Sequence, residues 1–148
     1  ESKQRDLVAH IMPIADVDAA VVHPDIIIAS DSIGPAHPRS AGTFTRVLSH
    51  YVRDTKQLSL IQALSKMTLL PANRLEKTVP QMKLRGRLQK GMIADITIFD
   101  PATVSDRATY IEPALDSVGI AHVLVNGTSV LENYEFVDNA YPGQAIKR

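Results

Sequence analysis

Three consecutive isoleucines, Ile26–Ile28, predict a strand that is buried on both faces, as the strands of a parallel sheet are. A glycine and two prolines between residues 34 and 38 prevent this strand from continuing, so we place it at about 25–31. Its last residue is Asp31, and ligands bind at this end of the strands in α/β folds and (β/α)8 barrels. Asp31 is therefore a candidate functional residue. An equally good interpretation is that it caps a turn or forms a structural ion pair with Arg39.

Apolar residues recur at helical spacing in three further segments. They predict a short helix at 16–22 and longer helices at about 44–56 and 59–69. Ser59 and Gln62 fit a capping box, in which the two residues satisfy each other's unpaired backbone donors at the start of the third helix. A short helix followed by a buried strand is typical of the end of a βαβ unit, whose neighbouring strands must lie elsewhere.

After about residue 90 the period of the apolar positions changes from helical to two. Residues 94–100 alternate and predict a half-buried strand, and 120–125 and 129–131 predict two more. Asn126-Gly127 joins the last two strands and is favoured by a type I′ hairpin turn, which needs positive φ at both residues. The second half of the chain therefore predicts a small antiparallel sheet.

Between the helices and the sheet, residues 76–87 show no clear periodicity and carry four basic side chains. These are Lys77, Lys83, Arg85 and Arg87. We interpret the segment as a surface loop whose charges face solvent, in preference to a binding patch. The loop divides the chain in two. Residues 1–75 form the end of an α/β barrel in this interpretation, and residues 76–148 form part of a small β domain.

Composition and charge narrow the function without identifying it. The chain has 148 residues, 45% of them hydrophobic and 22% charged, which indicates an ordinary globular domain. The net charge is zero and no long basic run occurs, which argues against nucleic acid, and no apolar stretch approaches the ~20 residues of a membrane span. The lack of cysteine excludes disulfides and cysteine-based zinc sites. Because the polar start lacks an initiator Met, we expect a piece of a longer protein.

A set of short motifs is spread along the chain between residues 28 and 127. They are Ile28–Asp31, His37–Ser40, Gly42–Phe44, Lys66–Thr68, Arg85–Leu88 and Val125–Gly127. Together they resemble the C-terminal third of the N-acyl-D-amino-acid deacylases, which are members of the amidohydrolase superfamily. The His-Pro-Arg-x-x-Gly-Thr-Phe block at 37–44 is the most specific motif, and it favours the D-aminoacylase branch.

The resemblance implies an α/β plus β fold. The chain would comprise the last strand and helices of a (β/α)8 metal-dependent hydrolase barrel, followed by part of a small β-sandwich domain. The metal-binding His-x-His motif and further ligands would then lie upstream, in the remaining N-terminal part of the same enzyme. No His-x-His pair occurs here, and we interpret the scattered histidines as surface or packing residues. These are His10, His23, His50 and His122.

The resemblance also implies zinc as cofactor and roles for three residues. Asp31 matches the acid after the eighth barrel strand, which contacts the metal, takes a proton from zinc-activated water and passes it to the leaving amine. Arg39 matches the arginine that binds the α-carboxylate of the substrate through two parallel hydrogen bonds. His37 belongs to the same motif, and we group it with the substrate-binding residues in a loop-shaping role.

Three functional hypotheses remain open. The first is the C-terminal part of a zinc-dependent amidohydrolase that cleaves N-acyl-D-amino acids. The second is a cyclic-amide hydrolase of the dihydroorotase or hydantoinase type, against which the His-Pro-Arg block argues. The third is an inactive piece that serves only folding or assembly. The expected partners are a small N-acyl amino acid and the N-terminal part of the enzyme, with a homo-oligomer left open and the cytoplasm as the favoured compartment.

Overall fold

The computed structural model describes residues 11–32 and 37–147, in which helices fill the first half and strands the second. The helical elements are α1 (Ile14–Val22), α2 (Arg39–Arg46), a π-helix (Val47–Asp54), α3 (Leu60–Met67), α4 (Leu69–Leu75) and a 3-10 helix (Pro80–Leu84). The strands are β1 (Ile96–Phe99), β2 (Ile120–Val125), β3 (Thr128–Glu132) and β4 (Glu135–Phe136). They form an antiparallel sheet in the order β1-β2-β3-β4, which confirms the sheet predicted for the second half.

The helix predicted at 44–56 begins earlier than its apolar pattern indicates. α2 starts at Arg39, because Pro38 already has helical backbone angles and the fixed φ of proline suits a helix start. The residues that follow are small or polar, so no apolar periodicity marks this first turn. α2 continues directly into the π-helix, at whose end the N–H of Thr55 donates to the carbonyl of His50 at 2.8 Å.

The capping box at the start of α3 is confirmed. The Ser59 hydroxyl accepts a hydrogen bond from the Gln62 N–H at 3.3 Å, and Gln62 Oε1 accepts one from the Ser59 N–H at 2.9 Å. α3 ends at Met67, earlier than predicted, because Thr68 leaves the helical region of backbone angles. α4 then begins and carries Pro71 in its first turn, where proline's missing N–H leaves no hydrogen bond unmade.

The hydrophobic core lies between the helices. Its buried members come from the π-helix, the turn after it and α3: Val47, Tyr51, Leu58 and Ala63. Ile28 and Met67 are among the residues that pack against this group. Ile28 thereby attaches the segment before Asp31 to the helices. No helix in the described ranges is long and apolar enough to cross a membrane.

The segment predicted as a strand at 25–31 does not pair with any other strand of the described residues. Ile26 and Ile27 are 44% and 41% exposed, so the expected burial on both faces is wrong for this chain by itself. The physical reason is that a parallel strand obtains both its hydrogen bonds and its cover from neighbours. The backbone N–H of Ile28 instead donates to the carbonyl of Lys66 at 3.1 Å. A strand at this position in the complete enzyme stays a prediction.

The hairpin predicted at Asn126-Gly127 is confirmed. Asn126 and Gly127 have φ angles of 49° and 79°, so both adopt the left-handed conformation that a type I′ turn requires. The turn brings Val125 opposite Thr128 and starts the pairing of β2 with β3.

The prediction that the charges of residues 76–87 face solvent is wrong for its two arginines. Arg85 forms an ion pair with Asp95, and Arg87 forms one with Glu76 at 3.2 Å. Gly86 between them has a φ of 72°, and a Cβ atom there would lie 2.5 Å from the carbonyl oxygen of Thr68. The backbone thus passes close to the C-terminal cap of α3 at Gly86, and the two arginines flank this contact. The exposed lysines of the segment agree with the prediction: Lys77 and Lys83.

Polar contacts join the helices to the segment between β1 and β2. The hydroxyls of Thr45 and Ser117 lie 2.6 Å apart, and the Ser49 hydroxyl donates to Asp106 Oδ1 at 3.2 Å. The side chains of this segment, residues 104–117, therefore reach the last turn of α2 and the π-helix. This placement matters because α2 begins at the candidate site.

Candidate functional site

Asp31 and Arg39 lie in direct contact, as the ion-pair interpretation of Asp31 predicted. Arg39 Nη2 and Asp31 Oδ2 are 3.2 Å apart, and Arg39 Nε donates to the backbone carbonyl of Asp31 at 3.0 Å. The side chains are 39% exposed for Arg39 and 68% exposed for Asp31, so solvent reaches both. The guanidinium of Arg39 thus binds both the carboxylate and the backbone carbonyl of Asp31, at a position open to solvent.

The backbone of Asp31 explains how the two groups meet. Its φ is 50°, a left-handed conformation that most residues avoid and that aspartate tolerates better than bulky side chains. This conformation ends the extended run from Ile26 and redirects the chain. Such outliers are frequent at functional sites, and this one lies at the residue that the sequence selected as catalytic.

Arg39 is the first residue of α2, and His37 fixes the start of that helix. His37 Nδ1 accepts a hydrogen bond from the Arg39 N–H at 3.1 Å, which satisfies a helix N-terminal donor. The loop-shaping part of the role predicted for His37 therefore has a physical basis. The His37 ring also packs edge-on against the ring of Tyr110. The two ring centroids lie 5.2 Å apart, at an interplanar angle of 78°.

Tyr110 is a neighbour of the site that sequence reasoning missed. It lies in the irregular stretch before β2, more than sixty residues after His37, and no local pattern marks it. The contact depends on the polar joint between the helices and residues 104–117. The sheet half of the chain therefore contributes a side chain next to the block at 37–44.

Lys66 is a second residue that the sequence did not single out by chemistry. Its side chain is buried, at 3% exposure for the residue, and its Nζ donates to the carbonyls of His23 and Ile26, the latter at 2.7 Å. Burial lowers the pKa of Lys66, and the nearby carboxylate of Asp25 opposes that shift. The signal that could have found it is a lysine within a family motif on an otherwise inward-facing part of α3.

The described residues do not contain three clustered His, Asp, Glu or Cys side chains that could hold a metal. Asp31 can offer one carboxylate oxygen, and a complete site needs ligands from elsewhere. Of the scattered histidines, which we interpreted as surface or packing residues, His23 and His50 make contacts of that kind. His23 Nδ1 accepts from the Asp25 N–H, and the His50 ring packs edge-on against Tyr51. His10 lies outside the described residues.

An open apolar groove of about 640 Å³ lies apart from these residues. It is lined from α3 by Leu64 and Thr68 and from the approach to β1 by Leu88, Met92 and Ile93. None of the three predicted site residues lines it. The groove is therefore a different feature from the Asp31–Arg39 site.

Comparisons of the sequence and of the structure with known proteins all point to amidohydrolases. The model of the amidohydrolase family matches residues 7–131. The N-acyl-D-glutamate deacylase of Alcaligenes xylosoxydans xylosoxydans is 43% identical, over 85% of this chain and 25% of its own length. The chain thus spans about a quarter of that relative.

Two solved structures are also similar. The N-acyl-D-glutamate deacylase of Bordetella bronchiseptica, complexed with zinc and a phosphonate mimic of the tetrahedral intermediate, has a TM-score of 0.81 and 42% identity over 93% of this chain and 28% of its own. A D-aminoacylase described for the functional role of its binuclear metal centre has a TM-score of 0.78 and 39% identity, over 86% of this chain and 27% of its own.

Proposed function

This chain belongs to the amidohydrolase family, and on that premise we propose that it is the C-terminal part of a zinc-dependent hydrolase of N-acyl-D-amino acids. The observation that carries the proposal is the contact between Asp31 and Arg39, 3.2 Å between Oδ2 and Nη2. An acid and a guanidinium in one open position can serve a reaction that needs a proton shuttle beside a carboxylate-bearing substrate. The names of the similar deacylases support the substrate class.

We propose the domain division that the sequence predicted. Residues 1–75 would supply the last strand and helices of the (β/α)8 barrel, and residues 76–148 would supply part of a small β-sandwich. The exposure of Ile26 and Ile27, 44% and 41%, supports the first half of this proposal, since neighbouring barrel strands would cover them. The antiparallel sheet supports the second half, because its β1 edge has no partner strand among the described residues.

Asp31 fits a position next to zinc by its chemistry, because an exposed carboxylate is a suitable oxygen ligand for that metal. Zinc, when bound, polarises the amide carbonyl and eases the ionisation of water. The Asp31 carboxylate accepts a proton from the water that attacks the carbonyl carbon. It then donates that proton to the nitrogen as the C–N bond breaks, so the products are a carboxylate and a free D-amino acid.

Arg39 would bind the α-carboxylate of the substrate. Its planar guanidinium can meet a carboxylate through two parallel hydrogen bonds, as it already meets the Oδ2 atom and backbone carbonyl of Asp31. His37 holds the first turn of α2, and with it the backbone of Arg39, through its Nδ1 atom. In this proposal His37 orients the residue that binds the substrate.

The test is Asp31→Asn in the complete enzyme, assayed on N-acyl-D-amino acids and on cyclic amides such as dihydroorotate and hydantoin. Asparagine keeps the shape but cannot carry the proton, so we expect kcat to fall by about 100- to 10,000-fold. The matched control is Asp138→Asn, at an exposed position in the last residues of the chain, which should keep normal kcat. A variant at Asp31 with nearly full activity contradicts the assigned role, and a preference for cyclic amides favours the hydantoinase type.

A further inference from the structure

Lys66 is a buried cation that is not part of the Asp31–Arg39 ion pair. The residue is 3% exposed, although lysine is rarely buried without a carboxylate partner. Its Nζ donates hydrogen bonds to two backbone carbonyls, those of His23 and Ile26. No ion pair of Lys66 occurs among the described residues; Asp25 acts on it only as a nearby charge. The side chain of Lys66 therefore donates hydrogen bonds to the backbone of one segment, residues 23–26.

The main chain of Lys66 holds the same segment. Its carbonyl accepts the hydrogen bond from the Ile28 N–H at 3.1 Å, so one residue of α3 contacts the backbone at positions 23, 26 and 28. These contacts lie on the run that leads to Asp31. Asp31 lies three positions after Ile28, which is about 10 Å of extended chain.

α3 is a firm support for these contacts. The Ser59–Gln62 capping box fixes its start, and Ala63, one turn before Lys66, is fully buried against the core. A shift of α3 along the segment would break all three bonds at once, because they come from a single residue. Lys66 thus fixes the position of residues 23–28 against α3.

Energetics favour a geometric role for this lysine. Burying a cation costs free energy that an apolar side chain of similar size would avoid, and such groups serve stability poorly. Two carbonyls in a turn require donors at fixed positions, which an ammonium with three N–H bonds provides. An apolar residue at this position would fill the space and leave the carbonyls without partners.

We propose that Lys66 is a positioning residue, which fixes the segment 23–28 against α3 and thereby places the carboxylate of Asp31 for proton transfer. The inference rests on the proposed function for the role of Asp31. It does not depend on that function for the anchoring itself, which is measurable without substrate.

The experiment compares Lys66→Met and Lys66→Arg in the complete zinc-loaded enzyme, with Lys77→Met as the control at an exposed lysine. Methionine is similar in length but donates no hydrogen bond, so we expect kcat to fall by about 10- to 100-fold, as for misplaced catalytic groups, while KM and zinc content stay near normal. Arginine keeps a cation with donors and should restore most of kcat. Wild-type kinetics in Lys66→Met, or an equal loss in Lys77→Met, overturns the proposal.

Hydrogen exchange measured by mass spectrometry gives a second readout. In Lys66→Met the peptide covering residues 24–32 should exchange faster, while the hairpin at 120–132 should stay as in the wild type. Unchanged exchange at 24–32 overturns the anchoring. If Lys66→Met does not fold, Lys66→Gln keeps two N–H donors without charge, and the same loss of kcat at constant KM is expected in milder form. Full activity of Asp31→Asn would refute the proposed function alone, since the exchange result would still stand.

Discussion

The carboxylate of Asp31 and the guanidinium of Arg39 form an ion pair that solvent can reach. Both side chains are partly exposed, 68% and 39%, and an ion pair at that exposure contributes only about 0–1 kcal/mol. The guanidinium can therefore exchange one carboxylate for another at little cost. The structural ion pair and the proposed catalytic role of Asp31 are compatible for this reason: under that proposal, the pair would keep the two groups together until a substrate carboxylate took the place of Asp31 on Arg39.

Arg39→Ala in the complete enzyme tests the proposed role of Arg39 in binding the substrate carboxylate. Loss of a charge-assisted contact weakens binding by about 1.5–3 kcal/mol, so we expect KM for N-acyl-D-amino acids to rise about 10- to 150-fold with a smaller change in kcat. Arg39→Lys should recover part of the loss, because lysine offers a point charge without the planar fork. Steady-state kinetics on the substrate and its carboxamide check this. The carboxamide should show little change, and an unaltered KM for the acid excludes the role.

At the scale of elements, a hydrogen bond ties α1 to the π-helix beside the core. The hydroxyl of Tyr51, which is 4% exposed, donates to Asp18 Oδ1 at 2.8 Å. Burial and this bond to the Asp18 carboxylate raise the pKa of Tyr51 from 10.0 to about 12. α1 carries Val21 and Val22 onto the same core, so the bond helps to keep the short helix in place.

The pH dependence of stability follows from that shift. Because the folded pKa of Tyr51 lies above its unfolded value, the stabilisation is complete below pH 10.0 and is lost as the pH rises toward about 12. Tyr51→Phe should lower the free energy of unfolding by about 1 kcal/mol at neutral pH, and the difference from wild type should shrink across this window. Urea unfolding of both proteins checks this, with the exposed Tyr134→Phe as control. A difference that stays constant across the window contradicts the shift.

At the scale of the whole molecule, helices and sheet meet through polar side chains around residues 104–117. Arg53 Nη1 donates to the carbonyl of Val104 at 2.6 Å, and the Ser117 hydroxyl donates to the carbonyl of Ala41 at 2.9 Å. The close approach of Gly42 to Asp106 adds to this joint, since a Cβ on Gly42 would lie 3.0 Å from Asp106 Cβ. The sheet half can therefore set the position of α2 and, with it, Arg39.

The whole 148-residue chain should bind no stoichiometric zinc. Its described residues contain no group of three clustered metal ligands, so Asp31 alone cannot hold the ion tightly. Metal analysis after dialysis checks this, and the complete enzyme, which should retain zinc, is the control. Activity on N-acyl-D-amino acids should be absent from the isolated chain. One tightly bound zinc per chain contradicts the proposed division of the metal site.

The features that sequence reasoning predicted correctly depend on neighbours within a few positions. The hairpin follows from Asn126 and Gly127, which accept positive φ, and the cap of α3 follows from Ser59 and Gln62, three residues apart. The boundaries of helices were less well predicted, because the first turn of α2 has no apolar pattern. The selection of Asp31 and Arg39 also came from sequence, and the structure adds that their atoms are in contact.

The sequence by itself therefore determined the family, the antiparallel sheet and the candidate acid and guanidinium. Only the tertiary structure decided that Lys66 and Arg85 face inward and that Tyr110 lies beside His37. The physical reason is that turns and caps are satisfied by local backbone geometry, whereas the carbonyls that accept hydrogen bonds from Lys66 lie 40 and 43 residues away along the chain and meet it only after the chain has folded.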